Sequence, residues 1–81
     1  MKEDLTLHQT NSHSIWRDRN GKVRKQAWED PHTEFHYDAE GHRHREDGPA
    51  VIDGDWIQWF WHGNPSSQQE VERLVRLKAF W

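Results

Sequence analysis

Two segments twenty residues apart set the terms for this chain: Asp18-Arg-Asn-Gly21 and Asp38-Ala-Glu-Gly41. Each carries an Asp three residues ahead of a Gly. Asn20-Gly21 is a strong hairpin signal, because both residues tolerate the positive φ that primed turns require. Gly63 follows Gly41 after 22 residues, so a turn returns at nearly regular spacing. Aligning the first two segments sets Arg24 over His44 and Lys25 over Arg45. It also brings "WEDP" (28–31) near "REDGP" (45–49), three residues short of register. A period near twenty with turn residues in fixed places predicts hairpins stacked side by side.

The stretches between turns read as short strands: Ser14–Asp18, Val23–Trp28, Thr33–Tyr37, Ala50–Asp53 and Trp56–Trp61, with "HRHR" (42–45) extending as a polar fourth strand. Pro31 ends the second, since it cannot donate to a ladder. Residues 1–13 form a polar arm or an edge strand, with Leu5 and Leu7 in alternation. Residues 64–81 read as an amphipathic helix, with Val71, Leu74, Val75, Leu77 and Trp81 on one stripe. Its start is either Asn64 with Pro65 at the first helical position, or a capping box made by Ser67 and Glu70. The expected fold is α+β: a small twisted antiparallel sheet of about four to six strands over residues 14–63, with one C-terminal helix packed on it, all in one domain.

Composition limits the core. Apolar residues make up 32% of the chain and charged residues 31%, so only a thin interior can form. The six tryptophans offset this in part. Burying one indole removes roughly 200 Å² from water, on the order of 5 kcal/mol. The absence of Cys excludes disulfides, thiolate zinc sites and thiol catalysis. No apolar run reaches membrane-spanning length and the N-terminus has no signal-peptide pattern, so a soluble, cytoplasmic protein is expected.

Charge is unevenly spread: residues 1–28 carry +3, residues 29–63 carry −7 and residues 64–81 carry +1. The aromatic-rich middle is therefore acidic and a poor match for bare nucleic acid. On the last strand, alternation puts Trp56, Gln58 and Phe60 on one face and Ile57, Trp59 and Trp61 on the other. One face must meet the helix. Some of Trp16, Trp28, Trp56 and Phe60 are expected to stay accessible.

The unit from Tyr37 to Asn64, and "HREDGPAVI" (44–52) above all, resembles a variant of the MORN-type repeat with its "HR-x-DGPA" segment. The first copy lacks the Gly-Pro-Ala. The resemblance implies twisted antiparallel hairpins, a binding role and no catalytic group. Similar units occur in small bacteriophage-encoded proteins and in bacterial antitoxin-like proteins.

On this reading the chain is a non-enzymatic protein-binding module of the phage-inhibitor kind. It would block a host enzyme or defence complex in the cytoplasm of an infected bacterium, as a monomer or as a homodimer through exposed sheet edges. The expected partner surface comprises Trp28, His44, Glu46, Asp47, Asp53, Asp55, Trp56, Gln58 and Phe60, aromatic groups within an acidic rim. The alternative is nucleic-acid binding by Trp16, Arg17, Arg19, Lys22, Arg24 and Lys25 in the basic N-terminal third. His42 and His44 alternate on one segment and are weak candidates for metal ligands, with Asp38 and either His36 or His62 nearby. His44, Glu46 and Asp47 could exchange protons, but no nucleophile or oxyanion hole accompanies them. No catalytic residue, metal or cofactor is assigned.

Overall fold

The computed structural model describes residues 5–29 and 32–79. Seven strands and one helix follow in chain order: β1 (Thr6–Gln9), β2 (His13–Arg17), β3 (Val23–Trp28), β4 (Thr33–His36), β5 (Val51–Asp53), β6 (Trp56–Trp61), β7 (Asn64–Ser66) and α1 (Gln68–Lys78). Each strand pairs antiparallel with its sequence neighbour, giving a meander in the order β1-β2-β3-β4-β5-β6-β7. The α+β class of stacked hairpins with one C-terminal helix is as the turn spacing predicts. The expectations for Pro31 and Trp81 lie outside the described residues.

The two Asp segments make the same turn. Asp18 N–H donates to Lys22 O and Gly21 N–H to Asp18 O, at 2.9 and 3.0 Å. Asp38 N–H donates to His42 O and Gly41 N–H to Asp38 O, at 2.8 and 3.1 Å. Each Asp then accepts two further N–H groups on its Oδ1: Asn20 and Lys22 in the first turn, Glu40 and His42 in the second. Gly21 and Gly41 take φ of 80° and 87°, where a Cβ would be strained. Both carboxylates are buried within their own turns.

The remaining turns are tighter. Asp53 pairs with Trp56 across Gly54-Asp55, with Gly54 at φ 60° as a type II′ hairpin needs. Trp61 pairs with Asn64 across His62-Gly63, whose φ of 44° and 90° fit a type I′ turn. That last hairpin takes Asn64 and Pro65 into β7, so neither starts the helix. Ser67 is the N-cap, its Oγ accepting the Glu70 N–H at 3.1 Å.

The "HRHR" segment is not a strand. It contributes one bridge, Tyr37↔Arg43, and then leaves the ladder. His44 N–H donates to His36 O, while His36 N–H donates to Ala50 O. Residues 45–49 are thus expelled as a loop, and the chain rejoins the same side of β4 at Ala50 and Val51. Arg45 clips this loop shut, Nε to Asp47 Oδ1 at 2.8 Å and Nη1 to Pro49 O at 3.2 Å. Its guanidinium lies where a Cβ on Gly48 would stand, within 2.8 Å. The Gly and Pro of "HREDGPA" therefore shape a loop, and its Ala is fully buried.

The core is small. Among the described residues the buried apolar side chains are Ala50, Val51 and Val71. Every residue of β2, β3 and β4 is half-buried. The molecule measures 40 × 31 × 17 Å, the thickness of one sheet with limited cover. The helix packs against β6. Val71 is buried, Leu74 and Val75 are half-buried, and Leu77 turns outward at 50% exposure, off the predicted stripe. Cross-strand pairs on the open faces replace a deep interior. His13 stacks on Trp28 at 4.2 Å, Trp28 meets Phe35 edge-on at 5.6 Å, and Lys25 Nζ sits 4.7 Å over Trp16. The tryptophans of the strands thus act as half-exposed ladder rungs. No described helix is long and apolar enough to cross a membrane.

Candidate functional site

The register gathers part of the predicted partner surface and disperses the rest. His13, Trp28, Thr33, Asp53 and Trp56 are successive partners across β2, β3, β4, β5 and β6, so they form one row on one face. Gln58 and Phe60 follow Trp56 on the same face by alternation. Asp53 and Asp55 are exposed at the rim. Trp56 is 57% exposed and Ile57, on the opposite face, is 54% exposed. The start of β6 is therefore open on both sides, while Trp28 and Phe60 are half-covered by neighbours.

His44 and Glu46 do not join that row. Their polar atoms are spent inside the molecule. The His62 N–H donates to His44 Nδ1 at 3.0 Å, which leaves the proton of the neutral ring on Nε2, 3.2 Å from Glu46 Oε2. Lys78, near the end of α1, reaches the same carboxylate at 2.7 Å. His44 also stacks on His62 at 3.8 Å and meets Trp61 edge-on at 4.7 Å. This chain of contacts ties the helix to the 45–49 loop. Burial pushes His44 below the usual imidazole range, with Glu46 opposing. Burial would raise the Glu46 carboxyl, but Lys78 and His44 outweigh it and lower it. Asp47 is exposed and paired to Arg45.

The basic N-terminal residues are likewise divided. Arg24 turns inward, Nε to Tyr37 O at 3.2 Å and Nη1 to Asp18 Oδ2 at 3.5 Å. Lys25 covers Trp16 and lies 3.7 Å from Glu34. Arg19 and Lys22 sit at the exposed hairpin tip.

Two charged clusters follow, the first unread in the sequence and the second read in part. Glu34, with a side chain 16% exposed, is ringed by His32 at 2.8 Å, His36 at 3.0 Å, Lys25 at 3.7 Å and Arg45 at 3.9 Å. Burial favours its neutral form, yet the His36 hydrogen bond and Lys25 prevail and its pKa falls. His36 is pushed down by burial, with Glu34 opposing. The second cluster is at Asp38. Its Oδ2 lies 2.6 Å from His62 Nδ1 and 3.5 Å from His42 Nδ1. Burial opposes ionisation, but the His62 hydrogen bond and the His42 and Glu40 N–H groups hold Asp38 at about 2. His42 and Asp38 thus come together as expected, while both nitrogens of His44 bond elsewhere. The partner from the turn between β6 and β7 is His62, in the left-handed region that His visits more readily than most residues.

Compared with protein-family models, with curated proteins and with solved structures, the chain matches none.

Proposed function

We propose that this protein is a non-enzymatic protein-binding module whose docking surface is the sheet face carrying Trp28, Asp53, Trp56, Gln58 and Phe60. The observation that carries the reading is Trp56, exposed at 57% at the end of a cross-strand row and beside two exposed aspartates. An indole open to water within an acidic rim is a hot-spot arrangement, and it suits a partner with a basic surround. The resemblance of "HREDGPAVI" to MORN-like repeats of small phage proteins supports the narrower reading of an inhibitor acting on a host enzyme or defence complex.

Affinity capture from bacterial lysate with the intact chain tests it. One stoichiometric protein should be retained, and Trp56→Ala and Asp53→Lys should each weaken its capture by tenfold or more. Asp47→Lys, away from the row, should do little. Equal capture by wild type and both variants would remove this face from consideration. Titration of labelled single-stranded and duplex DNA at two salt concentrations tests the alternative. Salt-sensitive binding lost in Arg19→Ala/Lys22→Ala would favour it.

A further inference from the structure

Both Asp turns hold their carboxylate by the same backbone N–H groups, through Oδ1. They differ in what faces Oδ2. In the first turn it is Arg24, a permanent cation at 3.5 Å. In the second turn two imidazoles converge on one oxygen, each through Nδ1. A neutral imidazole satisfies a carboxylate only with a proton on the facing nitrogen. His62, at 2.6 Å, makes that hydrogen bond. His42, at 3.5 Å, lies beyond good hydrogen-bond range. Ligand atoms of Asp38, Glu40 and His42 lie within 4.8 Å of one another, and His62, outside that group, reaches it through Asp38 Oδ2.

We propose that Asp38, His42 and His62, with Glu40, form a site for one divalent transition-metal cation of the zinc type. Two imidazoles and carboxylate oxygens suit zinc, nickel or cobalt and disfavour calcium or magnesium. Zinc–ligand bonds of about 2.1 Å in a tetrahedron separate neighbouring ligand atoms by about 3.4 Å. The 3.5 Å between His42 Nδ1 and Asp38 Oδ2 already matches that edge. The His62 contact must open by about 0.8 Å to match it. His62 and His42 are both exposed, and His42 lies against Gly63, whose added Cβ would be 3.4 Å from it. Both rings can adjust without disturbing a core. The supports are in place. Asp38 is oriented by two N–H bonds, and the backbone of His62 is fixed by His44, itself bonded to Glu46. On binding, the His62 ring passes to the tautomer with its proton on Nε2, and the cation takes the Nδ1 lone pair. A cation here would pin the β6–β7 hairpin to the Asp38–His42 turn, a useful staple where the core is so thin.

The test is titration of tag-free, chelator-stripped protein with zinc, followed by calorimetry and by ¹⁵N NMR of the histidine rings. Binding at one equivalent is expected, with the His42 and His62 ring signals shifting and the melting temperature rising. His42→Ala and His62→Ala should each weaken affinity at least tenfold. His8→Ala, on β1 and outside the cluster, should not. His42 is exposed, so its variant will fold; circular dichroism checks this. No binding at one equivalent, unmoved His42 and His62 signals, or unchanged affinity in the double variant would overturn the proposal. An equal loss in His8→Ala would overturn it too.

Discussion

The first and second Asp turns begin alike and end differently. After Asp18–Lys22 the ladder absorbs one extra residue. Arg17 pairs with Val23, but Trp16 pairs with Lys25, so Arg24 is bulged out. Its side chain then bonds the turn carboxylate and the next hairpin. After Asp38–His42 the ladder expels residues 45–49 as a loop clipped by Arg45, and the cation that faces the carboxylate is replaced by two histidines, one from a later hairpin. One repeat is thus closed locally, by a residue six positions along. The other is closed over 24 positions, by His62. The first makes a self-contained hairpin. The second makes a junction that locks the β6–β7 hairpin and, through His44, Glu46 and Lys78, the helix.

By that contrast the two aspartates are not equivalent. Asp38→Ala removes the acceptor of two N–H groups and the His62 bridge together, and should cost about 3 kcal/mol. For a protein with so little core that is a large part of its stability. Asp18→Ala should cost clearly less, because its loss disturbs one hairpin and leaves the helix junction intact. Urea unfolding followed by tryptophan fluorescence measures both. Hydrogen exchange sharpens the result. Asp38→Ala should expose amides in β6 and α1, whereas Asp18→Ala should expose only β2 and β3. Equal losses with the same exchange pattern would mean that the His62 bridge carries no weight.

How much of this could be read in advance follows from the same two turns. The hairpin positions were legible, because Asp-x-x-Gly spacing dictates local backbone geometry. The helix was legible from its apolar spacing, and its start from Ser67 and Glu70. Register was not. Counting outward from the Asp18–Lys22 pair sets Trp28 opposite Ser12, whereas the bulge at Arg24 shifts it to His13 and creates the stacked pair. Nothing in the residues around Arg24 announces a bulge. It is fixed by a guanidinium reaching Tyr37 O thirteen residues on. The candidate site suffered likewise. Trp56, Asp53 and Trp28 share a row. Glu46 and His44 looked like surface acid and imidazole, yet they serve a helix whose docking position no local pattern states. Asn64-Pro65 looked like a helix start because cap and N1 chemistry were both present. The tighter demand of the His62-Gly63 turn came first and pulled both residues into β7.

The expelled loop offers a smaller test, since the first repeat has no counterpart to Gly48. A Cβ there would stand 2.8 Å from the Arg45 guanidinium carbon. The far end of an arginine can move, so the cost is the loss of what it holds: Pro49 O, Asp47 and its approach to Glu34. Gly48→Ala should destabilise by about 1 kcal/mol, and Arg45→Met should cost a similar amount. The double variant should cost hardly more than either alone, because both remove the same clip. Additive losses in that cycle would mean that Gly48 matters for backbone reasons unconnected with Arg45.

The least effect is expected where the two repeats meet, at Glu34. Lys25 reaches it from the first hairpin and Arg45 from the second loop, so this carboxylate couples the unlike halves. Its pKa in the fold is lowered from 4.5. A carboxyl depressed by folding contributes stability that is full above its unfolded pKa and is lost as pH falls through the folded value. Asp18, lowered from 3.8 against burial by the Lys22 and Asn20 N–H groups and Arg24, acts in the same sense at lower pH. Melting temperature should therefore decline from about pH 5 downward. Glu34→Gln should flatten the upper part of that decline by less than about 1 kcal/mol and leave the steeper part below about pH 4 to the turn aspartates. If Glu34→Gln instead removed the whole acid limb, the coupling between the repeats would outweigh the turns themselves, and the contrast between a local and a long-range closure would have to be redrawn around this one side chain.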